Sequence, residues 1–237
     1  MPTLSFDQVS VTVPSPTRRT IVDSVSVEIT EQRVGIIGPN GSGKSTFVRL
    51  INGLTSPTEG TVTVDGHDVA RKTKQVRRRV GFIFSDADNQ ILMPTVFEDI
   101  AFSLRRDKLP KDDVRRRTQA VMDQLNITDL ADSSPHTLSG GEKQLLALAS
   151  VLVMEPAIII ADEPTTLLDL RNRRKVTKAF SQLEQQMIVV THDLDILADF
   201  DRVLRFDDAR LVDDSATSID STPSTVIQNY LTSQQED

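Results

Sequence analysis

The chain of 237 residues contains no cysteine. That excludes a disulfide framework, thiolate metal sites and a cysteine nucleophile. It also lacks an apolar run long enough to cross a bilayer: the longest, from Leu145 to Met154, falls far short of the ~18 residues required. The start, Met1-Pro2-Thr3-Leu4-Ser5-Phe6-Asp7, has neither the basic nor the apolar region of a signal peptide. The expectation is therefore a cytoplasmic chain whose membrane role, if any, comes through a partner. There is no basic surplus. The net charge of −7 argues against a protein whose main task is gripping nucleic acid, although it leaves room for a local basic patch. There are no internal repeats. A hydrophobic share of 38% and a charged share of 26% suit one globular domain, or one domain with an insertion.

What is present is concentrated in a few motifs. Residues 38–45 read Gly38-Pro39-Asn40-Gly41-Ser42-Gly43-Lys44-Ser45, after the apolar run Val34-Gly35-Ile36-Ile37 and before the helix-like Thr46-Phe47-Val48-Arg49-Leu50-Ile51. Strand, glycine-rich loop and helix in this order form the phosphate-loop pattern. The glycines let successive N–H groups converge on one anion, and the following helix adds its positive N-terminal end. Lys44 would reach the β- and γ-phosphates, and the Ser45 hydroxyl would ligate Mg²⁺.

The rest of the chain reads as an α/β core. Strand-like stretches lie at Leu4–Val13, Val25–Ile29, Thr61–Val64, Val80–Phe84, Ala157–Ala161, Met187–Val190 and Val203–Phe206. Between Val96 and Ala149 apolar residues recur at helical spacing, and Pro110 followed by Lys111-Asp112-Asp113 marks a helix start. This gives one domain over 1–237. Its nucleotide-binding core comprises 1–86 and 156–213, a helical insertion spans 87–155, and a peripheral tail, weakly helical from Ser224 to Leu231, occupies 214–237.

Three further features belong with the phosphate loop. The strand Ile158-Ile159-Ile160-Ala161 ends in Asp162-Glu163, where a Mg²⁺-binding Asp and a general-base Glu belong. Ser139, Gly140 and Gly141 precede a strong helix from Lys143. They can be a plain N-cap with flexible glycines or a second anion site. His192 follows an apolar strand and can bond a γ-phosphate or serve structure alone.

Taken together, the phosphate loop, Leu138-Ser139-Gly140-Gly141-Glu142, the apolar strand with Asp162-Glu163 and the strand with His192 resemble the ATPase subunits of ABC transporters over about residues 3–213. The resemblance implies a phosphate-loop, RecA-like ATPase core with an N-terminal antiparallel β subdomain and an inserted α-helical subdomain. It implies ATP and Mg²⁺ as ligands, with Gly38 through Thr46 holding the phosphates, Lys44, Glu163 and His192 catalytic, and Ser45 and Asp162 on the metal. Ser139, Gly140 and Gly141 would complete the ATP site of a second chain. Thr166-Leu167-Leu168-Asp169 looks like the dimer-interface loop, with Asp169 in its usual position. A homodimer with two head-to-tail sites suffices, and a heterodimer with a related ATPase is the alternative.

The segment from Asp86 to Phe102, with Met93-Pro94-Thr95-Val96, resembles the energy-coupling-factor (ECF) type of importer ATPase. That implies a membrane coupling subunit, a substrate-binding membrane subunit and a peripheral place on the cytoplasmic face. The likeness is to ATPases of biotin transport, with cobalt or nickel the next cargo. Another ABC importer or a non-transport ABC ATPase are the alternatives. The latter usually carry coiled-coil insertions or two cassettes per chain, and this sequence has neither.

Two positions depart from the family pattern. Ser85 stands where a Gln usually touches Mg²⁺ and the attacking water, so its reach is shorter. Val13 stands near the place of an adenine-stacking ring and offers only apolar contact, with Arg18 or Arg19 available to stack instead. The arginine runs 77–79 and 115–117 are read most simply as solvated faces, or as contacts to a partner or membrane surface.

Overall fold

The computed structural model describes residues 1–14, 18–217 and 221–235. β1 (Leu4–Val13) and β2 (Arg19–Ile29) pair antiparallel. β3 (Arg33–Ile37) runs into the glycine-rich loop and α1 (Lys44–Ile51). β4 (Glu59–Val64) returns beside β1, the two-residue β5 (His67–Asp68) pairs with β4, and α2 (Val69–Arg79) starts on the Asp68 side chain as its cap. β6 (Val80–Ile83) is followed by α3 (Val96–Ser103), α4 (Lys111–Leu125) and α5 (Gly140–Leu152). β7 (Ile158–Asp162), α6 (Leu170–Ser181), β8 (Gln186–Val190), β9 (Arg202–Asp207), β10 (Arg210–Asp214) and α7 (Pro223–Ser233) complete the chain.

Two sheets result. The smaller has the order β2-β1-β4-β5; the larger has the order β10-β9-β3-β8-β7-β6 and is parallel except for β10. The central strands are apolar on both faces because both are covered. Their side chains alternate between two cores. Ile158, Ile160, Ile188 and Val190 face the smaller sheet and α1. Ile159, Ala161, Met187 and Val189 face the helices, with Leu146, Leu148, Val176 and Phe180. The first core is centred on Phe47 of α1, whose ring stacks on Phe6 at 4.2 Å and lies 4.8 Å from Phe206. One fully buried ring thus joins the smaller sheet, the helix behind the loop and the larger sheet. Among the described residues no helix is long and apolar enough to cross a membrane.

The structure extends and corrects several sequence expectations. β2 starts at Arg19 rather than Val25, because bulges in the β1–β2 ladder break the alternation there. β6 stops at Ile83, one residue short of Phe84. α2 and α6 carry only two buried residues each, too sparse a stripe to register as a period. The tail is not merely peripheral. Val226 and Tyr230 of α7 pack on Ile37, Leu197 and Val203, while 218–220 and 236–237 of that tail lie outside the described residues. The arginine runs are not wholly solvated either. Arg77 donates to the carbonyls of Asn52 and Gly53, Arg79 pairs with Asp65 at 2.6 Å, and Arg117 meets Glu155 at 3.6 Å.

Replacing Phe47 by Ala would empty the junction of all three elements. The expected cost is about 3–5 kcal/mol of stability, read as a shift in the urea unfolding midpoint. A shift below about 1 kcal/mol would show that the ring is not the keystone of this core.

Candidate active site

β3 lies between β9 and β8, and β8 between β3 and β7, all parallel. Their C-terminal ends therefore sit side by side, the place where open α/β sheets put their ligands. The glycine-rich loop leaves β3, Asp162-Glu163 end β7, and Thr191-His192 follow β8. A cavity of about 300 Å³ opens there. Asn40, Gly41, Gly43, Lys44, Ser45 and Thr46 line it from the loop and α1, Glu163 from the end of β7, and Arg19 and Ile21 from β2.

The loop is built for an anion. Gly43 has φ 101°, and a Cβ there would lie 2.2 Å from the Ile21 carbonyl. The turn that aims the first amides of α1 inward therefore requires glycine. The buried Ser42 hydroxyl has no hydrogen-bond partner among the described residues, which fits a loop that closes around a ligand. Lys44 is itself buried, and its Nζ donates to the carbonyls of Gly38 and Pro39, both at 2.8 Å. Burial pulls this ammonium below its ordinary pKa, while the nearby Glu163 and Asp162 raise it. Next to it, the Ser45 hydroxyl donates to Asp162 Oδ1 at 2.7 Å, and Arg49 meets Asp162 Oδ2 at 3.3 Å. Ser45 and Asp162 present two hard oxygen donors at one point, the donor type that Mg²⁺ takes when phosphates supply the rest.

Glu163 is held in a left-handed backbone conformation, φ 54°, a region that costs a non-glycine residue about 1 kcal/mol or more. Its N–H donates to the Val190 carbonyl at 2.9 Å, which ties it to β8. Its carboxylate faces the cavity under three constraints. His192 Nε2 lies 3.2 Å from Oε1, the His192 amide donates to Oε2 at 3.4 Å, and the Thr166 hydroxyl donates to Oε2 at 2.8 Å. His192 Nε2 also meets Asn40 Oδ1 at 2.9 Å. With two acceptors in front of it, Nε2 is the ring nitrogen that carries the proton. A carboxylate so oriented, above a phosphate-binding loop, can polarise a water molecule toward a terminal phosphate.

The structure brings Asn40 through Thr46, Asp162, Glu163 and His192 together. The signature residues lie elsewhere. Ser139 caps α5 in a reciprocal box: its side chain and amide donate to Glu142 Oε2 at 2.7 and 2.8 Å, and these bonds hold the Glu142 carboxyl below its ordinary pKa. Gly141 abuts α6, where a Cβ would lie 2.6 Å from Asn172 Oδ1. Asn172 in turn bonds Asp169, the cap of α6. Ser139, Gly140, Gly141 and Asp169 therefore form one cluster apart from the loop cavity. Ser85 lines a separate cavity of about 130 Å³ with Gly140, Pro164 and Leu168. Val13 pairs with Arg19 at the strand end and is not among the residues lining the loop cavity. Thr166 is legible in the sequence only as part of the interface-loop motif and Arg19 only as a candidate to stack on the base; the fold places Thr166 on Glu163 and Arg19 beside the loop.

A profile of the ABC transporter family matches residues 22–166. The chain is 48% identical to the biotin transport ATP-binding protein BioM of Rhizobium etli over 83% of this chain and 87% of that protein. It is 38% identical to the energy-coupling factor transporter ATP-binding protein EcfA1 of Lactiplantibacillus plantarum, over 83% and 69%. Among solved structures it superimposes on cbiO1 from Clostridium perfringens, part of the ABC transporter complex cbiONQ, with TM-score 0.83 and 29% identity, covering 98% and 93% of the two chains. A dimeric ATP-binding cassette with bound ADP and Pi matches with TM-score 0.79 and 28% identity, covering 89% and 97%.

The contact of Gly141 with Asn172 can be tested on its own. Gly141→Ala should drive the two helices apart and cost about 1–3 kcal/mol. Adding Asn172→Gly should recover part of that loss in thermal unfolding. Strictly additive losses in the double variant would mean that the two positions do not touch.

Proposed function

The chain belongs to the ABC transporter family and hydrolyses ATP, and we propose that it is the ATPase subunit of an ECF-type importer, working as a homodimer beneath membrane subunits with biotin as the cargo. The observation that carries the site is the convergence of Lys44, the Ser45–Asp162 pair and the Glu163–His192 pair on one cavity at the ends of three parallel strands. Lys44 and the loop amides hold the β- and γ-phosphates. Glu163 orients and deprotonates the attacking water, and His192 positions both Glu163 and the terminal phosphate. Ser45 and Asp162 would hold Mg²⁺, and the ion's charge would offset that of the phosphates.

Two features favour a second copy of the chain. None of Ser139, Gly140, Gly141 and Asp169 is among the residues lining the loop cavity, and Gly140 lines a separate one with Ser85. Two copies placed head to tail would let Ser139 and Gly141 of one close the cavity of the other, with Asp169 at the seam. That a similar ATP-binding cassette with ADP and Pi bound is dimeric supports a dimer.

A groove of about 690 Å³ lies where β6 meets α3 and α5, with Phe82, Phe84, Phe102, Val151 and Met154 along it. Leu92 on its rim is 70% exposed. An apolar trough with an unpartnered leucine beside it suits a cytoplasmic helix of a membrane subunit. The similarity to EcfA1, and to cbiO1 as part of a transporter complex, supports this reading. Biotin is favoured over other cargo by the 48% identity to BioM. A place on the cytoplasmic face of the membrane follows from these partners.

Two measurements test the reading. Glu163→Gln should lower phosphate release by about 10²–10⁴ while ATP binding persists and the variant accumulates as an ATP-bound dimer; undiminished turnover would remove Glu163 from its role. Leu92→Asp should abolish biotin uptake by the reconstituted transporter and leave the ATPase rate of the isolated chain unchanged. Uptake that survives the change would exclude the groove as the docking site.

A further inference from the structure

We propose that Arg19 is a nucleotide-binding residue of this chain and that its guanidinium grips the phosphate chain rather than the base, an inference that rests on the ATP-site reading above. Arg19 opens β2, and its side chain lines the loop cavity together with Gly41, Lys44, Ser45 and Glu163. Its Nη2 lies 3.9 Å from the point that a Cβ on Gly41 would occupy. The guanidinium therefore stands beside the middle of the glycine-rich loop. Across the ladder from it is Val13, which is 40% exposed and has no ring to offer a base. This end of the smaller sheet thus presents a charge where a stacking face is missing.

The surroundings favour a phosphate as its partner. Arg49, Arg79, Arg202 and Arg210 each hold a carboxylate. Among the described residues Arg19 has no carboxylate within ion-pair distance, and it faces a cavity shaped for an anion. Lys44 is buried and engaged by two loop carbonyls, so a second cation at the open side complements it. A guanidinium offers a rigid fork of donors that matches a phosphate bidentately, and charge-assisted bonds of this kind are among the strong ones. A contact made only to phosphate is blind to the base. The affinity of this chain then rests on charge, and its preference for adenine over guanine is slight.

Isothermal titration of the full chain with ATP, GTP and inorganic triphosphate, at low and high salt, tests this directly. Arg19→Ala should weaken all three ligands alike, by about tenfold, and the loss should shrink at high salt, where the charge is screened. Arg19→Gln, which keeps a shorter polar side chain without the charge, should show the same loss. A loss confined to ATP, with triphosphate binding unchanged, would overturn the proposal, because the contact would then be to the base. Unchanged affinity for all three in both variants would overturn it as well. Lys44→Ala separates the two levels of the argument. If it abolishes binding while the Arg19 variants bind normally, only the role of Arg19 falls; if it too leaves every affinity unchanged, the ATP site itself is misplaced.

Discussion

The hydrogen bond from the Ser45 hydroxyl to the Asp162 carboxylate joins two residues 117 positions apart, and the candidate site is arranged around it. It forms because β3 and β7 lie parallel on either side of β8, so their C-terminal ends open on the same edge of the sheet. The same order delivers His192 from β8 to Glu163 from β7. Parallel strands need crossovers to return the chain to the starting edge, and those crossovers are the helices that bury the sheet. The site and the two-faced core thus follow from one topological choice.

The helical part is tied to this sheet by polar as well as apolar contacts. Asp99 of α3 is buried, and its carboxylate accepts the amides of Leu92 and Met93 and the hydroxyl of Ser150. Leu92 is therefore held outward by a satisfied buried carboxylate, not left loose on the surface. Gln90 bridges the Phe84 amide just past β6 and the Ala147 carbonyl in α5. A shift of α5 against the sheet would be felt at both ends of that bridge. The segment between β6 and α3 is thereby tied both to the sheet edge and to α5.

Most polar groups of the site already have partners within the chain; the Ser42 hydroxyl, among the described residues, does not. Lys44 is on loop carbonyls, Ser45 on Asp162, His192 on Asn40 and Glu163, and Ser139 on Glu142. On the proposed reading, binding a nucleotide would exchange these bonds for bonds to phosphate rather than create them from solvated groups. Such exchanges are each worth only about 1 kcal/mol net. The balance is then set by charge, which places weight on the cations around the cavity and on the carboxylates facing them.

The sequence alone determined the elements whose signal is local. The glycine pattern of residues 38–45, the apolar strand ending in Asp162-Glu163, the serine at the head of α5 and the proline before Lys111 all act within a few residues of themselves, and each was legible without coordinates. So was the α/β character of the core, because strands buried on both faces are apolar throughout. The tertiary structure decided what depends on distant neighbours. α2 and α6 are held by two buried residues each and by contacts that no period reveals. α7 is a packed helix because Ile37, Leu197 and Val203 await Val226 and Tyr230. The need for glycine at 141 comes from Asn172 on another helix. The sequence sets Thr166 in an interface-loop motif and Arg19 near the nucleotide, but that Thr166 reaches Glu163 and that Arg19 stands at the loop was decided by the backbone, because a side chain's partner is not written in its own residue type.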